Sequence, residues 1–263
     1  MKPDFLSQII ERKRQEVESA SKAMPESRLL DEAQKRGERR PFLAKLAAPG
    51  PFGANIIAEI KRASPSRGDI CLDLDAERQA KSYERAGAAA ISVLTERAFF
   101  RARPDDLQNV RRAVSLPVLR KDFIILPYQI YETAAMGADA VLLIVRALSR
   151  EMLKELLDLC HELQLDALVE VHSEQEMTEA TLAGARLIGI NNRDLSSFQT
   201  DLQTSVRLAR QIQDGQVAVA ESGIHEREQI ESLLSAGIWN FLIGESLVRA
   251  PDPEALLSGL LGR

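Results

Sequence analysis

Eight short apolar runs, at 56–60, 90–94, 118–120, 140–144, 167–171, 187–190, 217–220 and 241–243, alternate with stretches of helical period. A strand, a helix-length crossover and another strand place the two strands parallel in one sheet. The runs are nearly continuous in apolar residues rather than alternating with polar ones, so both faces of each strand must be covered. Two architectures meet that demand, an open doubly wound sheet and a closed barrel.

The punctuation between the runs favours closure. Ala86-Gly87-Ala88, Met136-Gly137-Ala138, Ala183-Gly184-Ala185 and Ala236-Gly237-Ile238 stand just before runs two, four, six and eight, so the same glycine recurs about every 50 residues. Glycine there can take the left-handed conformation that ends a helix. Four βαβα quarters of equal size fit an eight-stranded barrel better than a sheet whose strand order reverses. The expected fold is therefore α/β, a (β/α)8 TIM barrel over 51–263. Residues 1–50 form an N-terminal helical extension packed on it, and the whole is one domain. Within that extension Phe5, Leu6, Ile9, Ile10 and Val17 recur at helical spacing over 5–22, and the charge run at 11–16 reads as the solvated side of that helix.

Composition excludes several classes of function. A formal net charge of −5 and a pI near 5.5 argue against a nucleic-acid surface, which needs Lys and Arg spread over a whole face. Any phosphate must then be met locally. The opening Met1-Lys2-Pro3-Asp4 leads into a charged stretch with no apolar signal core, and no run of about 18 apolar residues follows, so neither secretion nor a membrane span is expected. Cys71 and Cys160 lack metal-ligand spacing, no metal site is indicated, and the reducing cytoplasm is the expected compartment.

In a barrel of this kind the chemistry sits where the strands finish. The polar residues there are Glu59 and Lys61 after run one, Lys121 after run three, Glu170 in run five, Asn191 after run six and Glu221 with Ser222 after run seven. A lone carboxylate inside an apolar strand can be half of a structural ion pair. Glu59, Lys61, Lys121, Glu170, Asn191 and Glu221, all six directed at one opening, instead describe a site that gives and takes protons. Gly223 and Gly244, in the loops after runs seven and eight, permit backbone amides to approach an anion. With Ser64, Arg193 and Glu245 they form the candidate phosphate-binding set. Phe99-Phe100, after run two, read either as an aromatic wall for a flat ring or as loop hydrophobes folding over the helices. His172 reads as a polar loop residue and Trp239 as packing.

The motifs IAEIKRASPS (57–66), ISVLT (91–95), PVLRKDF (117–123), LVEVH (168–172), GINNRDL (189–195) and AESGI (220–224) resemble the indole-3-glycerol-phosphate synthase family, in that family's order. The resemblance spans the chain from about residue 5 and implies a cofactor-free carboxy-lyase of tryptophan biosynthesis. It implies Lys121 as general acid and Glu170 in later proton transfers. Lys61 would hold the substrate carboxylate or share acid duty, Glu59 would position Lys61, and Asn191, Glu221 and Ser222 would hydrogen-bond the substrate. Phe99 and Phe123 would flank its aromatic ring. The chain departs from the pattern at Arg101-Ala102-Arg103-Pro104, where the family carries a Gly-Ser pair, and at Arg67, where lysine is frequent.

Three rival readings remain at this stage. A phosphoribosylanthranilate-type isomerase would need a cysteine and an aspartate where run one supplies Glu59 and Lys61. A Schiff-base aldolase would use Lys121 as nucleophile. A non-catalytic barrel would have no need of the acid and base positions. The expected partner is a small phosphorylated, anthranilate-derived molecule, with no nucleic acid and no membrane. A monomer is the expected state, with a weak dimer as the alternative.

Overall fold

The computed structural model describes residues 5–194 and 198–263. The reading of residues 1–4, the side chain of Phe5, and Leu195 of the run-six motif lie outside the described residues. Eight parallel strands close into a barrel in chain order. They are β1 (Asn55–Ile60), β2 (Ala90–Leu94), β3 (Val118–Lys121), β4 (Ala140–Ile144), β5 (Asp166–Val171), β6 (Leu187–Asn191), β7 (Val217–Glu221) and β8 (Asn240–Ile243), with β8 paired to β1. The open-sheet alternative is thereby excluded. The four repeating glycines, Gly87, Gly137, Gly184 and Gly237, all have positive φ between 79° and 97°, which L side chains adopt only with strain.

Two apolar layers follow from the period-two geometry of the strands. Ile56, Ala58, Ile91, Val93, Val141, Val169, Ile188, Ala218 and Phe241 belong to the layer shared with the surrounding helices. Ile57, Leu119, Leu142, Leu168, Leu187, Val219 and Leu242 belong to the barrel's own interior. Each interior position sets the parity for its strand, and two residues further along come Glu59, Lys121, Ile144, Glu170, Gly189, Glu221 and Gly244. The pattern that fills the barrel with aliphatic side chains thus also turns the polar residues at the strand ends inward.

The extension closes both ends of this cylinder. Helix α1 (Phe5–Ala23) lies across the C-terminal mouth, with Leu6 and Ile9 facing the cavity below. The charge run is not wholly solvated. Lys13 is buried, and its ammonium reaches Asp122 Oδ1 at 3.0 Å and Glu16 Oε2 at 2.8 Å. Its stem packs under α1 while its charge latches the helix to the end of β3.

Helix α2 (Glu26–Gln34) packs on α4 (Pro127–Ala135), where the Tyr128 hydroxyl donates to the carbonyl of Met24 at 3.0 Å. At the opposite end the five-residue helix α3 (Phe42–Leu46) plugs the barrel floor. Phe42 and Leu46 are fully buried among the interior aliphatics. Its backbone is tied down by Leu43 N–H to Asp166 (2.8 Å), while its Leu46 carbonyl accepts from Trp239 Nε1 (3.0 Å) and Asn240 Nδ2 (3.1 Å). Trp239 packs, as its sequence context suggested.

Candidate active site

One cavity opens at the C-terminal mouth. Its wall includes Glu59, Lys61, Ser64, Phe100, Lys121, Phe123, Glu170, Asn191, Arg193, Ser222, Gly223, Gly244 and Glu245. Residues from strands as far apart in the chain as β1 and β8 therefore share one compartment. Lys121 stands at its centre, with its ammonium 3.4 Å from Glu221 Oε2, 3.6 Å from Glu170 Oε2 and 4.0 Å from Glu59 Oε2. Lys61, from the end of β1, holds the other oxygen of Glu59 at 2.6 Å.

Burial disfavours the charge on Lys121, but Glu221, Glu170 and Glu59 outweigh it and raise the ammonium above its ordinary value of 10.5. This lysine keeps its proton until a reacting group takes it. Glu59 shows the complementary balance. Burial would push its carboxyl up, yet Lys61 and Lys121 hold it below the ordinary 4.5.

Glu221 behaves differently: burial first, then the neighbouring Glu170 and Glu59 charges, drive it up to about 8 despite Lys121. The residue is 1% exposed, and its carboxyl meets Lys121 at a depth where the described cavity lining does not include it. The 3.4 Å separation is an ion-pair contact longer than a good hydrogen bond. Gly189 makes this depth available: a Cβ there would overlap the Glu221 carboxylate, so the neighbouring strand has to be bare at that level.

The far side of the cavity is suited to an anion. Ser222 and Gly223 both have positive φ, 67° and 79°, which turns the backbone sharply at the end of β7. A Cβ on Gly244 would collide with Glu59, so the β8 loop passes close to the cluster only because it carries no side chain there. Arg193 projects into the cavity with its Nη1 donating to Ser66 Oγ at 3.0 Å, and Ser66 lies 3.5 Å from Ser64 Oγ. Glu245 is not an acceptor-free contact for phosphate. Its carboxylate pairs with Arg67 (3.0 Å), Arg193 (3.6 Å) and Arg249 (3.5 Å), so it orders the guanidinium groups.

Of the Phe99-Phe100 pair, the member that faces the cavity is not the one the family resemblance implied. Phe100, not Phe99, lines the cavity, its ring centroid 6.2 Å from that of Phe123 at 44°. Phe99 is turned toward α1, where the Arg12 guanidinium lies 6.0 Å from its ring centroid. The carboxylate of Glu96 fixes this turn by accepting from the amides of Ala98 (2.9 Å), Phe99 (2.6 Å) and Phe100 (3.1 Å). Downstream, Arg101 adopts a positive φ of 57° and Arg103 is held by Asp106 and the Leu72 carbonyl, so the departing Arg-Ala-Arg segment is tied to the barrel rim.

Sequence reasoning also missed two structural roles. Asn192, next to Asn191, is buried and spans β6 to the following helix: its Oδ1 accepts from Ser205 N–H (3.0 Å) and Oγ (2.8 Å), and its Nδ2 donates to the Ser222 carbonyl (3.1 Å). It thereby sets the turn that carries Ser222 and Gly223. His172 is in the loop after β5, as expected, but its side chain is 4% exposed and lies between Glu170 and Glu176.

Comparison with known proteins agrees with this geometry. The family model described as indole-3-glycerol phosphate synthase matches residues 6–260. A protein named indole-3-glycerol phosphate synthase from Syntrophobacter fumaroxidans is 58% identical over 259 residues, covering 98% of each chain. One of the same name from Desulfosudis oleivorans is 54% identical over 261 residues, again 98% of each. Among solved structures, the thiamine phosphate pyrophosphorylase from Pyrococcus furiosus superimposes with a TM-score of 0.59 at 16% identity, covering 79% of this chain and 93% of that one. The N-acetylmannosamine-6-phosphate 2-epimerase from Clostridium perfringens gives 0.61 at 14%, covering 80% and 92%. The structural likenesses speak for the barrel alone. With a lysine ringed by carboxylates, a family model matching residues 6–260 and relatives of this identity over 98% of the chain, the chain belongs to the indole-3-glycerol phosphate synthase family.

Proposed function

We propose that this cavity converts 1-(2-carboxyphenylamino)-1-deoxyribulose 5-phosphate to indole-3-glycerol phosphate, carbon dioxide and water, with Lys121 as general acid and Glu170 as base. The observation that carries the reading is Lys121 itself, a cavity-lining ammonium within 4.0 Å of three buried carboxylates. Such surroundings keep the acid charged at neutral pH and release its proton only where negative charge develops.

The phosphate is held at the β7 and β8 loops by the amides around Gly223 and Gly244 together with Arg193 and Ser64, a location this fold favours for phosphate. The anthranilate ring lies toward Phe100 and Phe123. Its carboxylate is drawn to Lys61, whose partner Glu59 keeps the ammonium in place. Asn191 and Ser222 hydrogen-bond the sugar portion. The ring carbon that bears the carboxylate attacks the ribulose carbonyl carbon, and the carbonyl oxygen takes the Lys121 proton. Loss of carbon dioxide then returns the C–C bonding pair to the ring and restores its aromaticity. The new hydroxyl leaves as water after protonation, while Glu170 removes the proton whose loss completes the indole.

No helix among the described residues is long and apolar enough to cross a membrane, and we place the reaction in the cytoplasm, carried out by a monomer. Incubation with the substrate tests the activity: indole fluorescence should grow with one carbon dioxide released per product. Borohydride added during turnover separates this reading from the aldolase alternative, since a stable adduct on Lys121 would show a Schiff base and refute the general-acid role.

A further inference from the structure

Behind Glu170, on the side away from Lys121, lies a row of groups that the mechanism above does not use. Glu170 Oε1 is 3.4 Å from His172 Nε2, while His172 Nδ1 is 3.1 Å from Glu176 Oε2. The same Glu176 oxygen accepts the backbone N–H of His172 at 2.8 Å, and its other oxygen accepts from Arg146 Nε at 2.9 Å. The groups come from four parts of the barrel rim: Arg146 from the turn after β4, Glu170 and His172 from the end of β5, Glu176 from the first turn of α5 (Glu174–Ala183), and Lys121 from β3. Charge alternates along the row. The imidazole is enclosed, and its Nε2 is buried with no partner at hydrogen-bond geometry among the described residues, facing Glu170.

We propose that His172, clamped by Glu176 and Arg146, is a positioning residue that fixes the Glu170 carboxylate with one oxygen toward Lys121 and the other against the imidazole. The inference rests on the reading of Glu170 as the base. A carboxylate at a barrel mouth can rotate about its terminal torsion, which is broad and lacks deep staggered wells. An imidazolium 3.4 Å from one oxygen attracts it and narrows that freedom, and a misplacement of about 1 Å at a reacting group can cost on the order of 10²-fold in rate. The protonated ring donates from Nδ1 to Glu176 and carries its Nε2 proton on the side of Glu170. A neutral ring that keeps its Nδ1 proton for Glu176 instead presents a lone pair to Glu170 and loosens it.

Burial lowers the basicity of His172 and Arg146 opposes its charge, but Glu176 and Glu170 prevail and hold it above the ordinary 6.5. The donor is therefore present on the acid side of that raised value and is lost as pH climbs through it.

Two measurements test the arrangement. The titration of His172, followed by imidazole NMR, should shift to lower pH in both Glu170→Gln and Glu176→Gln relative to the parent. In steady-state kinetics, Glu176→Gln should move the alkaline fall of kcat to lower pH with KM within about twofold, and His172→Gln should lose about tenfold in kcat and the histidine-dependent part of that fall. A His172 titration indifferent to Glu170→Gln, or a parental kcat and pH profile in Glu176→Gln, would overturn the proposal even if His172→Gln did not fold. Loss of turnover in Glu170→Gln beside an unaltered Glu176→Gln profile sinks the histidine role alone. Parental turnover in Glu170→Gln sinks the base assignment and this inference with it.

Discussion

Phe42→Ala isolates the contribution of the floor plug. Phe42 is fully buried between the barrel interior and the Leu46 turn. A phenylalanine so placed removes about 150–250 Å² from water, worth about 4–6 kcal/mol at ~25 cal/mol per Å² as an upper bound. Truncations of this kind remove about 3–5 kcal/mol, because the surrounding wall collapses only in part. The barrel strands around it are mutually hydrogen-bonded and cannot close the gap, so the upper half of that range is expected. At about 2–4 °C per kcal/mol for a chain of this size, the melting temperature should fall by roughly 8–20 °C. The plug lies at the opposite end of the barrel from the cavity, so kcat/KM at 25 °C should stay within about twofold of the parent. Differential scanning calorimetry and steady-state kinetics measure the two effects. A melting temperature within about 3 °C of the parent would mean that α3 does not seal the interior. A tenfold fall in kcat/KM without thermal loss would mean that the two ends are coupled in a way this packing does not describe.

Lys13→Met removes one cation from Asp122, which keeps Arg120 at 3.3 Å and Thr95 at 2.6 Å. The expected loss is about 1–3 kcal/mol of stability, and KM should rise more than kcat falls because Leu6 and Ile9 no longer sit firmly over the cavity; an unchanged KM would remove α1 from substrate binding. Gly189→Ala drives a methyl group into the Glu221 carboxylate under Lys121, so kcat should drop by about 10²-fold with KM little altered; parental kcat would show that Lys121 tolerates displacement of its support. Glu59 and Asp122 are both held below their ordinary values of 4.5 and 3.8, since nearby cations overcome the penalty of burial. Depressed carboxyls give stability that is complete above those ordinary values and is lost as pH falls through the lower folded ones. Melting temperature should accordingly be insensitive to these two groups above about pH 5 and fall steeply below about pH 4; in Glu59→Gln the acid fall should be shallower, and an identical slope would contradict the balance of charges described for Glu59.

The barrel was legible because its strands are continuous apolar runs and its helices end on a repeating glycine, signals that are local in the chain. The site was legible for the same reason. Glu59, Lys121, Glu170 and Glu221 interrupt apolar strands, and the period-two geometry leaves them nowhere to point but inward. What the sequence hid depends on contacts between distant segments. Helix α3 is five residues long with no flanking periodicity, so the plug formed by Phe42 and Leu46 looks like part of a polar connection. Lys13 sits in a run of six polar residues, and nothing in that run distinguishes the one that turns in toward Asp122 from those in water. Phe99 and Phe100 lie in a loop where no strand period assigns a face, and the Glu96 turn decides between them. His172 stands two residues beyond Glu170 and shares its parity. That clue was present, but its force comes from Glu176, which reaches back from the next helix.

The central claim is that Lys121 gives up a proton in the reaction and contributes little to holding the ligand. Lys121→Gln separates these roles when the affinity for indole-3-glycerol phosphate, read by fluorescence titration, is measured beside kcat on the same preparation. The structure predicts product affinity within about threefold of the parent while kcat falls by about 10²–10⁴-fold, the range typical of a lost general acid. Equal and parallel losses in affinity and turnover, or full turnover in the variant, would contradict it.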